Sequence, residues 1–191
     1  MEICAQRYCD VPFPSYRFVP GRNAHPTADP RGHSYHPPGF AAAKVNRVSA
    51  ERWIDSAEYL YGCDLYNHAY WWEAHEAWEG LWHLTDKAGV QGRFLQGLIQ
   101  ASACHLKRYM GHADGVRRLR QSSMGHLQFV AERLEGYLYM GLALVPFMGR
   151  FEAYYETPPV GPTASNYHDA KSYPYLILSE APGSTGRAQS G

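Results

Sequence analysis

The segment 71–83 combines histidine and glutamate at helical spacing. At 100° per residue, a helix here places four titratable side chains within an arc of about 100°. These side chains are His75, Glu76, Glu79 and His83. Aromatic residues occupy the neighbouring arc, so the titratable groups follow the border of an apolar face. Charge on such a border must be paired, hydrogen-bonded, neutralised or bound to a metal ion, because an isolated charge away from water is costly.

The spacing of these groups predicts a metal site with hydrolytic chemistry. His75 and Glu79 are one helical turn apart, as in the His-Glu-x-x-His zinc helix, with glutamate in place of the second histidine. Glu76 then stands where that helix carries its general base. A third ligand must come from another element, and His105 is the best placed candidate. We expect a divalent ion, zinc, iron or manganese, that activates a water molecule.

The same residues have a second interpretation, in which nothing is catalysed. His75 and Glu79 then form an ordinary one-turn ion pair, and His105 is a hydrogen-bonded core histidine. Short antiparallel helices with a tryptophan-rich interface resemble tetratricopeptide-type helix pairs, which bind peptides or self-associate. In this hypothesis the chain is a binding or assembly module, and the His/Glu stripe is a structural hydrogen-bond network.

The hydrophobic pattern predicts an all-α fold, an antiparallel bundle of about four to five helices. Ser49 is the expected N-cap of the first helix. A short fifth segment should be broken by Pro146. The predicted helices cover about 49–67, 69–84, 91–110 and 113–137, and the fifth segment covers 142–155, within a helical domain of residues 49–156.

The regions that flank this domain are rich in proline and glycine. Residues 1–48 carry many aromatic side chains, so we expect an extended arm that packs on the helices. Its histidines, His25, His33 and His36, are interpreted as turn residues rather than as residues that close over the stripe. Residues 157–191 form an irregular tail in which 173–178 is a short strand or a docked extended segment, and the last ten residues are expected to be disordered.

The composition excludes several functional classes. In 191 residues, Lys plus Arg is 18 and Asp plus Glu is 18, so the net charge of zero argues against binding nucleic acid or anionic membranes. The longest apolar run, 137–149, is shorter than the roughly 20 residues of a membrane span. No apolar leader follows Met1 and no cysteine pair has a two-residue spacing, so we expect a cytoplasmic protein with reduced thiols.

Two segments in this order resemble the family called domain of unknown function 309. They read YWWEAHEAWEGLW over 70–82 and FLQGLIQA over 94–101, and His105 follows the second. The resemblance covers about residues 55–125, and the arm resembles that of some longer members. It implies a helical bundle, and the family carries the label of predicted metal-dependent hydrolase.

The resemblance also extends the set of candidate site residues. Glu73, Gln96 and Gln100 match family positions, and we expect them, with Trp72, to contact the substrate, an unidentified small molecule or peptide. Gln96 and Gln100 lie roughly opposite His105 on their helix, so either the two glutamines or His105 completes the site, and the periodicity favours His105. The aromatic load also makes a homo-oligomer plausible.

Overall fold

The computed structural model describes residues 7–40, 45–156 and 173–179, and helices dominate these ranges. A 3-10 helix precedes five α-helices, and a two-stranded antiparallel hairpin separates the last two. The elements are the 3-10 helix (Ala50–Asp55), α1 (Ala57–Asn67), α2 (Trp71–Trp82), α3 (Val90–Tyr109), α4 (Ala113–Ala131), β1 (Leu138–Tyr139), β2 (Leu142–Ala143) and α5 (Leu144–Glu156). The predicted all-α fold is confirmed.

The first predicted helix is divided in two at Ser56. Ser49 makes no side-chain cap, and residues 50–55 form the 3-10 helix. Ser56 is the N-cap of α1 instead, because its hydroxyl accepts a hydrogen bond from Tyr59 N at 3.3 Å. Both serines precede helical residues and both have extended backbone angles, but only Ser56 caps the following helix with its side chain.

The fourth predicted helix is too long, because α4 ends at Ala131. A tight hairpin follows, in which Met140 (φ 47°) and Gly141 (φ 78°) both adopt left-handed backbone angles. Two such residues form a type I′ turn, whose twist matches that of the paired strands. Pro146 does not break α5, because it lies in the first turn, where a missing N–H removes no helical hydrogen bond.

Helix α2 is held against α1 by a close approach at Gly62. A Cβ atom at this position would lie 2.2 Å from Trp78 Nε1, so only glycine fits. Trp78 is completely buried, and its Nε1 donates to Tyr59 O at 3.3 Å. Helix α3 packs on the other side of α2, where Ser102 Oγ donates to Trp71 O at 2.6 Å. These contacts fix the rotation of α2 and therefore the direction of its polar edge.

The described part of the N-terminal arm, residues 7–40, packs along α1 and α2. Asp64 in α1 has a fully buried carboxylate that anchors the start of this part. Its oxygens accept hydrogen bonds from Tyr8 N (2.8 Å), Cys9 N (3.1 Å) and Arg7 Nε (3.1 Å). Backbone donors of the arm are thus satisfied by a side chain of the bundle, which ties the arm to α1.

The segment 173–179 docks on the bundle as extended chain. Leu176 N donates to Asn67 Oδ1, and Asn67 Nδ2 donates to Leu176 O, both at 2.8 Å. Leu178 forms a single antiparallel bridge with Leu142 of β2. The predicted disorder of the last ten residues concerns a stretch outside the described ranges. Within those ranges, no helix combines the length and the apolar character that crossing a membrane requires.

Candidate metal centre on helix α2

The polar edge of α2 lies beside a fully apolar face of the same helix. Ala74 and Trp78 are completely buried, and Leu81 is nearly so. The side chains of His75, Glu76 and Glu79 retain 24%, 40% and 42% of their exposure. The predicted arrangement, a titratable stripe that borders an aromatic face, is therefore present in the structure.

His75, Glu76 and Glu79 bring three potential ligand atoms together, all within 4.8 Å of one another. His75 Nε2 lies 3.3 Å from Glu76 Oε1 and 3.9 Å from Glu79 Oε2. His75 Nδ1 lies 2.7 Å from Trp72 O, a carbonyl that can only accept, so Nδ1 carries the proton. In the neutral ring Nε2 therefore presents its lone pair to the two carboxylates, which is the tautomer that binds metal ions.

Glu76 has an altered proton affinity. Partial burial raises its pKa above the ordinary value, and the neighbouring carboxylates Glu79 and Glu73 add to the rise. His75 and His25 act in the opposite direction. A carboxylate with a raised pKa is a better proton acceptor, which is the property that a general base needs.

Trp72 connects this cluster to the N-terminal arm. Its ring makes edge contacts with His75 (centroids 5.6 Å apart), with His25 (5.4 Å) and with Phe18 (5.2 Å). His25 also serves a turn, since its Nδ1 accepts from Ala28 N at 3.2 Å. Trp72 thus lies next to the cluster, as the prediction of a substrate contact requires, and His25 is a neighbour that the spacing could not reveal.

Glu73 faces the arm rather than an open site. It is 6% exposed, and its Oε1 accepts from Phe18 N at 2.8 Å and contacts His33 Nε2 at 3.0 Å. His33 lies in a turn, as predicted, but its ring also crosses to α2 and contacts Glu73. His36 stacks on Phe40 with centroids 3.9 Å apart. The arm occupies one oxygen of the Glu73 carboxylate, while Oε2 is buried without a hydrogen-bond partner.

His105 lies in a separate network inside the bundle. It is 1% exposed, and Tyr66 Oη lies 2.6 Å from its Nε2 while Tyr155 Oη lies 2.8 Å from its Nδ1. Burial, assisted by Arg108, lowers the pKa of His105 from 6.5 to about 3. Both ring nitrogens are engaged by tyrosine hydroxyls, and among the described residues the group that could hold a metal ion does not include His105.

Gln100 lies on the side of α3 that packs against α4, and Gln96 is half-buried on the same helix outside the α2 cluster. The neighbouring turns of this face contact α4 through Arg93 with His126 (3.3 Å) and through Cys104 Sγ with Val116 O (3.4 Å). Gln100 Oε1 is buried and without a hydrogen-bond partner. The structure thus brings Trp72 beside His75, Glu76 and Glu79, and it places Gln96, Gln100 and His105 elsewhere.

The donor set fits a divalent metal ion. Ligand atoms at about 2.1 Å from a tetrahedral ion are about 3.4 Å apart. The Nε2–Oε1 distance of 3.3 Å between His75 and Glu76 already has this value, and a rotation of the exposed Glu79 side chain would shorten the remaining gap. One imidazole and two carboxylates suit zinc, iron or manganese and leave coordination positions for water.

Comparison with known proteins supports the family resemblance. Residues 59–119, about a third of the chain, match the profile of the family described as "Domain of unknown function (DUF309)", in agreement with the resemblance of the two segments. The match spans α1, α2 and α3 and the start of α4, so it includes the whole cluster on α2. The comparisons with curated proteins and with solved structures found no match.

Proposed function

We propose that this chain binds one divalent metal ion at His75, Glu76 and Glu79 and acts as a metal-dependent hydrolase. The observation that carries the proposal is the convergence of three ligand atoms on one helix, with His75 Nε2 facing the two carboxylates. A divalent ion in such a site lowers the pKa of the water bound to it and so supplies a nucleophile near neutral pH. Water has access because all three side chains are partly exposed.

Three residues have distinct roles in the proposed site. The carbonyl of Trp72 fixes the orientation of the His75 ring, so that Nε2 already points toward the site. Little further side-chain conformational entropy is then lost when the metal ion binds. Glu79 supplies an oxygen ligand one turn away. Glu76 can act as a metal ligand or as a general base. Its oxygen is close enough to His75 Nε2 for both to bind one ion, and its raised pKa suits proton transfer.

The alternative, a non-catalytic helical module, is favoured by one observation. A cavity of about 670 Å³ lies elsewhere, among residues of α3, α4 and α5, and is not lined by His75, Glu76 or Glu79. The cluster itself is partly exposed, so in this alternative it is a surface feature of α2. In this alternative the His33–Glu73 contact and the His75 pairs hold the arm and the helix in register.

A location in the cytoplasm is part of the proposal. Cys9, Cys63 and Cys104 are free thiols in the structure, and reducing compartments keep thiols in this state.

Metal content tests the site directly. Protein purified without a histidine tag or chelator is expected to contain about one equivalent of zinc, iron or manganese by elemental analysis. His75→Ala and Glu79→Gln should lose it, because each removes a ligand. His112→Ala, which removes an exposed histidine outside the cluster, should retain it. Folded wild-type protein that takes up no metal even from excess ions would contradict the proposal.

Glu76→Gln separates the two roles of Glu76. A glutamine oxygen is a weaker ligand and cannot accept the proton. If Glu76 is a ligand, we expect the metal content to fall together with hydrolysis of activated ester and phosphate-ester test substrates. If Glu76 is the base, the metal should stay while hydrolysis falls by about 10²–10⁴-fold. Unchanged metal content and unchanged hydrolysis would exclude both roles.

A further inference from the structure

We propose a second ligand site, independent of the α2 cluster, in the cleft that α4 and α5 form with the end of α3. Its ligand is a small organic anion, a carboxylate or a phosphate monoester with an apolar body. The cleft encloses about 670 Å³, within the roughly 300–1,000 Å³ that small-molecule sites occupy. The residues that define its chemistry are Arg108, Arg117, Arg120, Val116, Met124 and Tyr155.

The first argument is the arrangement of arginines around one tyrosine. The guanidinium carbon of Arg108 lies 5.3 Å from the ring centroid of Tyr155, and that of Arg120 lies 6.0 Å from it. Arg108 is 8% exposed, and its guanidinium also covers the ring of Tyr154 at 4.4 Å. The aromatic contacts fix the planes of both guanidinium groups, and Arg120, which already holds a carboxylate, is the one that a ligand anion would engage with two hydrogen bonds.

The second argument is that the cleft already holds a carboxylate on one of these arginines. Arg120 forms two parallel hydrogen bonds with Glu152, one of them Nε to Oε1 at 2.9 Å. Both side chains remain about one-third exposed, so a ligand anion can compete with Glu152 for the same guanidinium. Glu152 thus occupies the position that the acidic group of the ligand would take.

The third argument is the field at the start of α4. This helix begins at Ala113, which lines the cleft, and His112 offers no side-chain cap to the first turn. The free amides of a helix N-terminus favour a nearby anion. Three arginines line the cleft against the carboxylates of Glu152 and Glu156, and Arg117 is also paired with the exposed Asp114 at 2.9 Å, so the positive excess of the lining is small.

The apolar part of the lining determines the rest of the ligand. Val116, Met124 and Ala113 present hydrocarbon to the cleft, and Tyr155 adds an aromatic surface. A bare inorganic ion would leave this surface in contact with water. A ligand that also carries an aryl or alkyl group would remove this apolar surface from water, which favours binding.

Titration calorimetry on the full chain tests the site with phenyl phosphate as the probe, and inorganic phosphate and phenol serve as matched halves of it. Phenyl phosphate is expected to bind at least tenfold more tightly than either half. Arg120→Gln should weaken the binding of phenyl phosphate about tenfold. Glu152→Gln should tighten it several-fold, because it removes the competing carboxylate. Arg118→Gln deletes an exposed charge of α4 outside the cleft lining and should change affinity less than twofold.

The opposite effects of Arg120→Gln and Glu152→Gln are the decisive result, because a purely structural ion pair would give the same sign for both. Arg117→Gln provides the weakening variant if Arg120→Gln does not fold. Absence of saturable binding to wild type would overturn the proposal, as would equal weakening by Arg118→Gln, which indicates diffuse charge attraction. Equal affinity for inorganic phosphate would overturn the apolar part.

Discussion

Replacing His105 by leucine is expected to lower the free energy of unfolding by about 3–5 kcal/mol and to leave metal content unchanged. The imidazole joins the hydroxyls of Tyr66 and Tyr155 in the centre of the bundle. Leucine has a similar volume but no polar atom, so the Tyr66 hydroxyl would lose its side-chain partner and the Tyr155 hydroxyl would keep only the Cys104 thiol. Each unsatisfied buried group costs about 1–3 kcal/mol. Urea unfolding followed by tryptophan fluorescence measures the loss.

The control for this variant is His112→Leu, which changes an exposed histidine and should shift stability by less than about 0.5 kcal/mol. The metal measurement tests the sequence-based hypothesis that His105 is a ligand. Folded His105→Leu protein that has lost its metal would restore that hypothesis. A stability loss below about 1 kcal/mol would instead contradict the buried network.

The same histidine makes stability depend on pH in a defined direction. Its pKa is about 3 in the folded chain and about 6.5 when unfolded. Below pH 6.5 the unfolded chain therefore binds a proton that the folded chain does not, so stability is lost as the pH falls toward 3. At pH 5 the loss from this group is about 2 kcal/mol. The wild type should accordingly lose more stability between pH 7 and pH 5 than His105→Leu, which lacks the titrating ring.

The elements with strong periodicity could be predicted from the sequence. The predicted bounds of α3 and of α2 lie within a few residues of those in the structure, because each helix carries a continuous apolar stripe. The misplaced boundaries have local causes. Ser49 and Ser56 are equally good capping residues by type. The hairpin requires glycine at position 141, because the backbone there is left-handed and an added Cβ would lie 2.6 Å from the Trp53 ring. Only the folded packing decides these points.

For the candidate site, too, the local arrangement could be predicted and the contacts between distant residues could not. His75, Glu76 and Glu79 lie on one helix, so helical geometry alone brings them together. The contacts of His33 with Glu73 and of His105 with Tyr66 span 40 and 39 positions of the chain. Periodicity assigned His105 to a buried face correctly, but it could not say that the hydroxyls of Tyr66 and Tyr155 would engage both ring nitrogens, or that the α2 side chain beside the ring would be Trp71. The aromatic side chains of the arm indicated that the arm packs on the bundle. They did not indicate which residues of the arm would contact which residues of the helices.

Replacing Asp64 by alanine is expected to lower the free energy of unfolding by about 3 kcal/mol and to release the start of the arm. The carboxylate is fully buried and accepts from two backbone amides and from Arg7. Hydrogen bonds to a charged group contribute about 1.5–3 kcal/mol each. Alanine removes all of them, and the amides of Tyr8 and Cys9 can recover partners only by moving into water.

This prediction separates an arm that is integral to the fold from one that merely rests on it. Limited proteolysis should cut Asp64→Ala protein within the arm at concentrations that leave the wild type intact, while Asp114→Ala, at a side chain that is 84% exposed, should behave as wild type. Asp64→Asn should fall between the two, because one amide oxygen can still accept. If the arm of Asp64→Ala protein remains protected, the contacts of Glu73 with Phe18 and His33 suffice to hold it. If it is released, His25 and Phe18 leave Trp72, so a parallel fall in metal affinity would show that the arm completes the α2 site.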